Sequence, residues 1–286
     1  MVSQKFKSLL KSILSRYQTL HLEYPVDMKP RYGFGKPVHQ GLNAIIEVDR
    51  NVYKSWLQAA LDFREQFVQW PVYDPQQHSI QPSWNNGFLP GLDMVMLYSI
   101  IASGKPSTYV EIGSGNSTKI VARAKKDHQL PLHIISMDPA PRAEIDQLAD
   151  TIVRQPFEYA DLGLFTSLKR GDVVFVDNSH RIFPNSDATV FFMDVLPILA
   201  PGVIVHVHDV YLPFDYPQEF CDRYYSEQYA LAAFLLANPA KYRTIMPNFF
   251  VSEDQELKKI LTPLWEHASM PDVERHGASY WIQIGD

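Results

Sequence analysis

Cysteine occurs once in the 286 residues, at Cys221, which excludes an intrachain disulfide and a cysteine-based zinc site. A single thiol suits a reducing, cytoplasmic setting. No apolar run approaches the roughly 20 residues that a membrane-spanning helix requires. The N-terminus holds no uninterrupted apolar stretch of the kind that forms a signal-peptide core. A basic excess is also missing: 26 Lys and Arg against 32 Asp and Glu leave a net charge of −6, which argues against a nucleic-acid partner. Repeats and low-complexity tracts are absent. What is present, 46% hydrophobic and 20% charged residues, supplies the core of one large α/β domain with additions and leaves a homo-oligomer open.

The segment MVSQKFKSLLKSILSRYQTL places Phe6, Leu9, Leu10, Ile13, Leu14 and Tyr17 on one helical face, with Lys5, Lys11 and Arg16 elsewhere. The pattern predicts an amphipathic helix, read here as docked on its own protein or a partner rather than lying on a membrane. Prolines gather between Tyr24 and Pro37 and again between Pro71 and Pro90, as in loops. Between these stretches Val52, Trp56, Ala59, Ala60, Phe63 and Phe67 fall at helical spacing. Residues 1–90 therefore read as a helical extension or lid, followed by the main domain over 91–286.

A helix over DMVMLYSIIAS leads to a change of pattern at Thr108. The β-rich runs TYVEI, HIISM, TIVRQ, DVVFV and VIVHV alternate with the helix-compatible segments STKIVARAKKD, PRAEIDQLAD and DATVFFMDVLPILA. Val/Ile runs separated by helices indicate a parallel sheet covered on both faces. A long helix over CDRYYSEQYALAAFLLAN follows, then a strand over YRTIMPNFFV, a helix opened by Ser252, and a last strand, SYWIQI.

Val110-Glu111-Ile112-Gly113-Ser114-Gly115-Asn116-Ser117-Thr118 stands where the first strand turns into its helix. Glycines permit a tight turn and a close ligand, and the first amides of the helix offer donors at a positive dipole end. Asn116 or Ser117 is suited to cap that helix. Glu111 lies two positions before the first glycine, Asp138 follows the second strand 25 positions after Gly113, and Asp177 follows the fourth strand. In an open parallel sheet these positions share the carboxyl edge, where ligands bind. The dinucleotide fingerprint asks for a third glycine where Thr118 stands. S-adenosylmethionine (SAM) has no phosphate, carries cationic groups that suit an acid at the strand edge, and presents a ribose diol that suits Asp138.

The Glu-x-Gly-x-Gly turn resembles motif I of class I SAM-dependent methyltransferases, and Met137-Asp138-Pro139 resembles their second-strand acid. With DNSH at 177–180, LPILAPGVIVHVHD at 196–209 and SEQY at 226–229, residues 84–284 are similar to a bacterial family of these enzymes, the methyltransferase-domain-24-like group. The resemblance implies a Rossmann-like, seven-stranded, mostly parallel sheet with helices on both faces and an antiparallel final strand. It implies that Glu111, Gly113, Ser114, Gly115, Asn116, Ser117, Asp138, Pro139 and Asp177 hold SAM, with Pro156-Phe157-Glu158 near the adenine. Trp84-Asn85-Asn86-Gly87-Phe88 is a candidate part of a lid.

Asp177-Asn178-Ser179-His180 and His206-Val207-His208-Asp209 end neighbouring strands. His206 and His208 share a strand face, and Asp209 leaves at the tip. Histidine titrates near neutrality and suits proton removal from an acceptor. The catalytic candidates are His180 as base with Asp177, Asp209 and His208, whereas His206 reads as a core histidine. The same acids and histidines admit a divalent metal, although His208 stands where metal-dependent relatives carry an acid. The expected function is methyl transfer from SAM to an oxygen or nitrogen of a small molecule or glycan. Three alternatives are a nicotinamide oxidoreductase, weakened by Thr118 and the lack of an obvious Tyr-x-x-x-Lys pair, an iron-dependent oxygenase, and a non-catalytic SAM-binding protein.

Overall fold

The computed structural model describes residue 20 and residues 22–74, 80–141 and 145–286. The amphipathic segment expected before residue 18 lies outside the described residues. Seven strands form one sheet: β1 (Thr108–Ile112), β2 (His133–Met137), β3 (Thr151–Val153), β4 (Val173–Val176), β5 (Ile204–His208), β6 (Tyr242–Pro247) and β7 (Ser279–Ile284). Their spatial order is β3-β2-β1-β4-β5-β7-β6. The first five run parallel, and β7 inserts antiparallel between β5 and β6, as the sequence led us to expect. The order reverses between β1 and β4, so their carboxyl ends open a crevice. Val173, Val174, Phe175 and Val176 are fully buried, as a strand covered on both faces requires.

Helices α1 (Gln40–Val48) and α2 (Arg50–Ala60) lie within residues 1–90, and α3 (Gly91–Gly104) and α4 (Asn116–Asp127) flank β1 in the chain. Helix α3 is apolar nearly all round, and twelve of its fourteen residues are buried. A helix with no polar face belongs inside. It carries one acid, Asp93, into the interior. Phe67 and Trp70 meet the α3 residue Tyr98 and each other edge to face, Trp84 lies tilted against Trp70, and the cluster ties residues 67–84 to α3. Each such side chain contributes about 1.5–3 kcal/mol by leaving water.

Residues 28–39 are stapled onto the loop that follows β5. The Arg31 amide donates to Asp215 Oδ2 at 2.8 Å, the Asp215 amide to Tyr32 O at 3.1 Å, and the His39 amide to Pro213 O at 3.0 Å. Gly33 has φ +70°, and a Cβ there would lie 2.0 Å from the Phe214 ring, so only glycine fits this contact.

Several elements are shorter than the sequence pattern suggests. β6 stops at Pro247, and α6 (Asn248–Glu253) begins where a strand was expected to continue. Asn248 is drawn inward by hydrogen bonds from Nδ2 to Asp93 and to Ser279, at 2.7 and 2.9 Å. Ser252 lies inside that helix, where its hydroxyl bonds Asn248 O. The long helix expected from Cys221 is interrupted: a short helix, Gln218–Asp222, precedes α5 (Glu227–Ala237). Tyr224 at φ +61° and amides drawn to the His180 carbonyl break it. After β4, one α turn, Asp187–Val190, widens into a π segment, Phe191–Val195, and then tightens into a 3₁₀ turn, Leu196–Ile198, that holds Pro197. Of the helix expected over PRAEIDQLAD, the described part holds one short turn, Asp146–Leu148.

Candidate active site at the carboxyl edge of the sheet

Gly113 leaves β1 with φ +82°, and a Cβ there would lie 1.7 Å from the Asp177 carbonyl oxygen. The turn and the end of β4 therefore touch through bare backbone. Around Gly115 the space is open, with no atom within 4 Å of the position a Cβ would take. Helix α4 starts there, capped by the Gly115 amide donating to Thr118 Oγ1 at 3.2 Å rather than by Asn116 or Ser117. Asn116 Nδ2 instead reaches Asn86 Oδ1 at 3.4 Å. Asn86 also accepts from Phe88 and Leu89 and donates to Ser83 O, so the Trp84–Phe88 loop is held beside the glycine turn.

Glu111 lies fully buried beneath the turn. Its carboxylate accepts from Tyr109 OH at 2.9 Å and from the Thr118 hydroxyl. Burial raises its pKa from 4.5 to about 7, against the lowering effect of the Ser117, Thr118, Tyr109 and Ser114 hydroxyls. Asp138 crosses from β2 to the same turn: Oδ2 accepts the Ser114 amide at 2.9 Å and Oδ1 accepts the Ala140 amide at 2.8 Å. Ser114 Oγ lies 2.8 Å from Ser136 Oγ, which ties the turn to β2 again. Pro139 is exposed next to Asp138. Two acids, three hydroxyls and the amides of α4 thus converge on one open turn.

The ends of β4 and β5 form the second half of the site. His180 Nδ1 faces Glu227 Oε1 in direct contact, and its Nε2 stands 3.3 Å from Asp177 Oδ1 and 3.6 Å from Asp209 Oδ2. His208 Nδ1 lies 3.4 Å from Asp209 Oδ1 and 3.8 Å from Asp177 Oδ1, while its Nε2 is 3.9 Å from Asp93 Oδ2. His180 and Asp209 both hold left-handed backbone, at φ +63° and +51°. For residues with a Cβ that geometry costs of order 1–3 kcal/mol and persists only where the surroundings impose it.

The charges in this cluster set one another. Burial would lower the His180 pKa, but Glu227 and Asp177 outweigh it and hold the imidazole well above 6.5. Burial likewise opposes the charge on His208, and Asp209, Asp177 and Asp93 overcome it. Asp177, which burial alone would push up, is held at about 2 by His208 and His180. Asp209 and Glu227 are raised by burial despite their histidine partners. His206 behaves differently: it stacks on Phe175 at 4.0 Å, meets Trp281 edge-on, and burial drives its pKa well below 6.5. It is a neutral core histidine.

All four catalytic candidates, His180, Asp177, Asp209 and His208, meet at one point beside the glycine turn. Two members were not singled out from the sequence as part of it. Glu227 stood in a mixed aromatic and polar stretch, and Asp93 in the apolar run of α3; a lone acid in such a run was the signal available. Phe157 is buried at the start of the turn after β3, Phe157–Tyr159, with Glu158 beside it. Among the described residues no three His, Cys, Asp or Glu side chains are arranged to hold a metal ion.

Residues 110–210 match the family model of a methyltransferase domain (Methyltransf_24). No curated protein matches the chain. Among solved structures, the chain is similar to the methyltransferase PaMTH1 of Podospora anserina, bound to SAH, at 15% identity and a TM-score of 0.42, over 80% of this chain and 88% of that one. It is also similar to a candidate methyltransferase of Thermobifida fusca YX, at 12% identity and a TM-score of 0.38, over 70% and 85% of the two chains.

Proposed function

We propose, from the match of residues 110–210 to a methyltransferase-domain model, that the chain moves a methyl group from SAM to a hydroxyl or amine of a small molecule or glycan. One observation carries the reading. The open glycine turn and the His180 cluster lie on the same edge of the same sheet, joined where Gly113 packs on the Asp177 backbone. In this reading SAM lies over the open side of Gly115, with Gly113, Ser114, Asn116 and Ser117 along the turn, Asp138 and Pro139 on the β2 side and Asp177 on the β4 side. Glu111 acts from below by holding the turn's hydroxyls. When bound, SAM supplies an activated methyl carbon on a sulfonium.

The chain's own task is to align an acceptor and take its proton. Alignment of reacting groups is worth up to about 7–11 kcal/mol in well-oriented systems. In our reading the acceptor sits in the notch between His180 Nε2, Asp177 and Asp209, and its proton passes to Nε2. His208, whose pKa three carboxylates raise against burial, helps to lower the pKa of Asp177 and opposes the upward push of burial on Asp209. Four carboxyl groups, of Asp93, Asp177, Asp209 and Glu227, gather about the two imidazoles, which disfavours carboxylate or phosphate acceptors.

Two measurements test this. Calorimetry should show SAM binding in the micromolar range, about −8 kcal/mol. Asp138→Ala should weaken it by about 1.5–3 kcal/mol, the range for hydrogen bonds to charged groups. Binding of NADH and none of SAM would sink the reading. Methyl-tritiated SAM with a panel of neutral alcohols, phenols, sugars and primary amines should then reveal an acceptor. His180→Ala should lower turnover on it by about 10²–10⁴-fold, with SAM affinity nearly unchanged. A chelator should leave turnover intact; restoration of a chelated enzyme by Mg²⁺ or Mn²⁺ would assign the chemistry to a metal held by Asp177 and Asp209.

A further inference from the structure

Helix α5 begins at Glu227 with Ser226 just before it, and the backbone and side chains of this start converge on the His180 segment. The Ser226 and Glu227 amides donate to the His180 carbonyl at 2.8 and 3.3 Å, and Ser226 Oγ accepts the Ile182 amide at 2.9 Å. Tyr225, just before them, stacks its ring on the imidazole at 4.5 Å and 20°. Arg181 and Arg223 in turn place their guanidinium groups over the Tyr225 ring, at 5.1 and 4.5 Å. Glu227 itself is 1% exposed and reaches Nδ1 with Oε1, while Oε2 has no partner. A buried carboxylate half satisfied by one imidazole is costly unless that imidazole answers it.

We propose that Glu227 is a positioning residue for methyl transfer: its carboxylate holds the Nδ1–H of His180, which leaves Nε2 as the nitrogen turned to the acceptor between Asp177 and Asp209. The inference rests on the reading of His180 as base. As the acceptor's oxygen–methyl bond forms and the sulfur–methyl bond breaks, the acceptor's O–H proton passes to Nε2, and Nδ1–H stays on Glu227. The groups that face His180 are Asp177 at the end of β4, Asp209 and His208 at the end of β5, Tyr225 before α5 and Glu227 on α5. Asp177 and Asp209 border the acceptor side, so only Glu227 is placed to fix the tautomer from behind.

The test is Glu227→Gln, with Glu227→Asp as the conservative partner, both checked for folding by thermal denaturation. Wild-type turnover should rise with pH as His180 loses its proton, at a pH raised above that of a free histidine. Without the carboxylate that holds the proton, the midpoint of this limb should fall by at least about one pH unit. The plateau should fall about tenfold or more, with the SAM KM within about twofold of wild type. Glu227→Asp should recover part of both. Nitrogen NMR of the His180 ring should show the same downward displacement with no acceptor present. An unmoved NMR titration in a folded Glu227→Gln protein, or an unchanged limb and plateau, would overturn the proposal. If His180→Ala keeps full turnover while Glu227→Gln still moves the ring titration, the pairing stands and the base assignment falls.

Discussion

At the scale of single residues, Glu111 shows how a motif position acquires a role that its type alone does not state. An acid at the end of the first strand suggests direct contact with a cation, yet the structure puts its oxygens on Tyr109 and Thr118. Its pKa, about 7 against an unfolded 4.5, lies on the raised side. The stability gained from keeping it protonated is therefore full below about 4.5 and is lost as pH climbs from there through about 7. Over that window the fold should lose about 3 kcal/mol relative to a non-titrating residue. Glu111→Gln should then melt progressively higher than wild type as pH rises from 5 to 8, with the gap levelling above 7. A gap that stays constant across this range would show that the carboxyl does not titrate with folding. The glycine turn was legible from sequence because Gly113 has no substitute at φ +82° against a carbonyl oxygen. The Glu227–His180 pair was not, because 47 residues and a break between two helices separate them.

At the scale of elements, the extension earns its place through one carboxylate. Asp215 is buried and accepts from the Arg31 amide, the Tyr216 amide and Tyr229 OH. It thereby links the extension, the loop after β5 and α5. Asp215→Ala should leave the Arg31 and Tyr216 amides and the Tyr229 hydroxyl short of an acceptor, costing about 1–3 kcal/mol. Hydrogen exchange over residues 28–39 and 211–218 should accelerate, while exchange in β1 and β4 stays slow. Equal acceleration in the central strands would mean that the staple is not a local device. The strands at the sheet centre were readable nearly to the residue, since β1, β2 and β7 coincide with their apolar runs. Two elements next to the site were read as too long, the helix across Tyr224 and the strand beyond Pro247. The apolar pattern runs on in both, but hydrogen bonds to distant segments, His180 in one case and Asp93 in the other, interrupt them.

At the scale of the whole molecule, the candidate site is assembled from six separate stretches: α3, the β1 turn, the end of β2, the ends of β4 and β5, and the start of α5. The sequence by itself determined the sheet class, because near-continuous Val and Ile runs separated by helical segments have few other ways to bury both faces. It also determined the placement of Gly113, Asp138, Asp177 and Asp209 at strand ends, and so on one edge, since parallel strands share their direction. Only the tertiary structure decided which charges meet. Asp93 enters the cluster because α3 is buried over twelve of its fourteen residues, and His206 leaves it because that ring stacks on Phe175. The protonation of His180 and His208 likewise depends on carboxylates brought within 4 Å from other elements. Coulomb energy falls with distance and dielectric, and neither quantity is written in the order of residues along a chain.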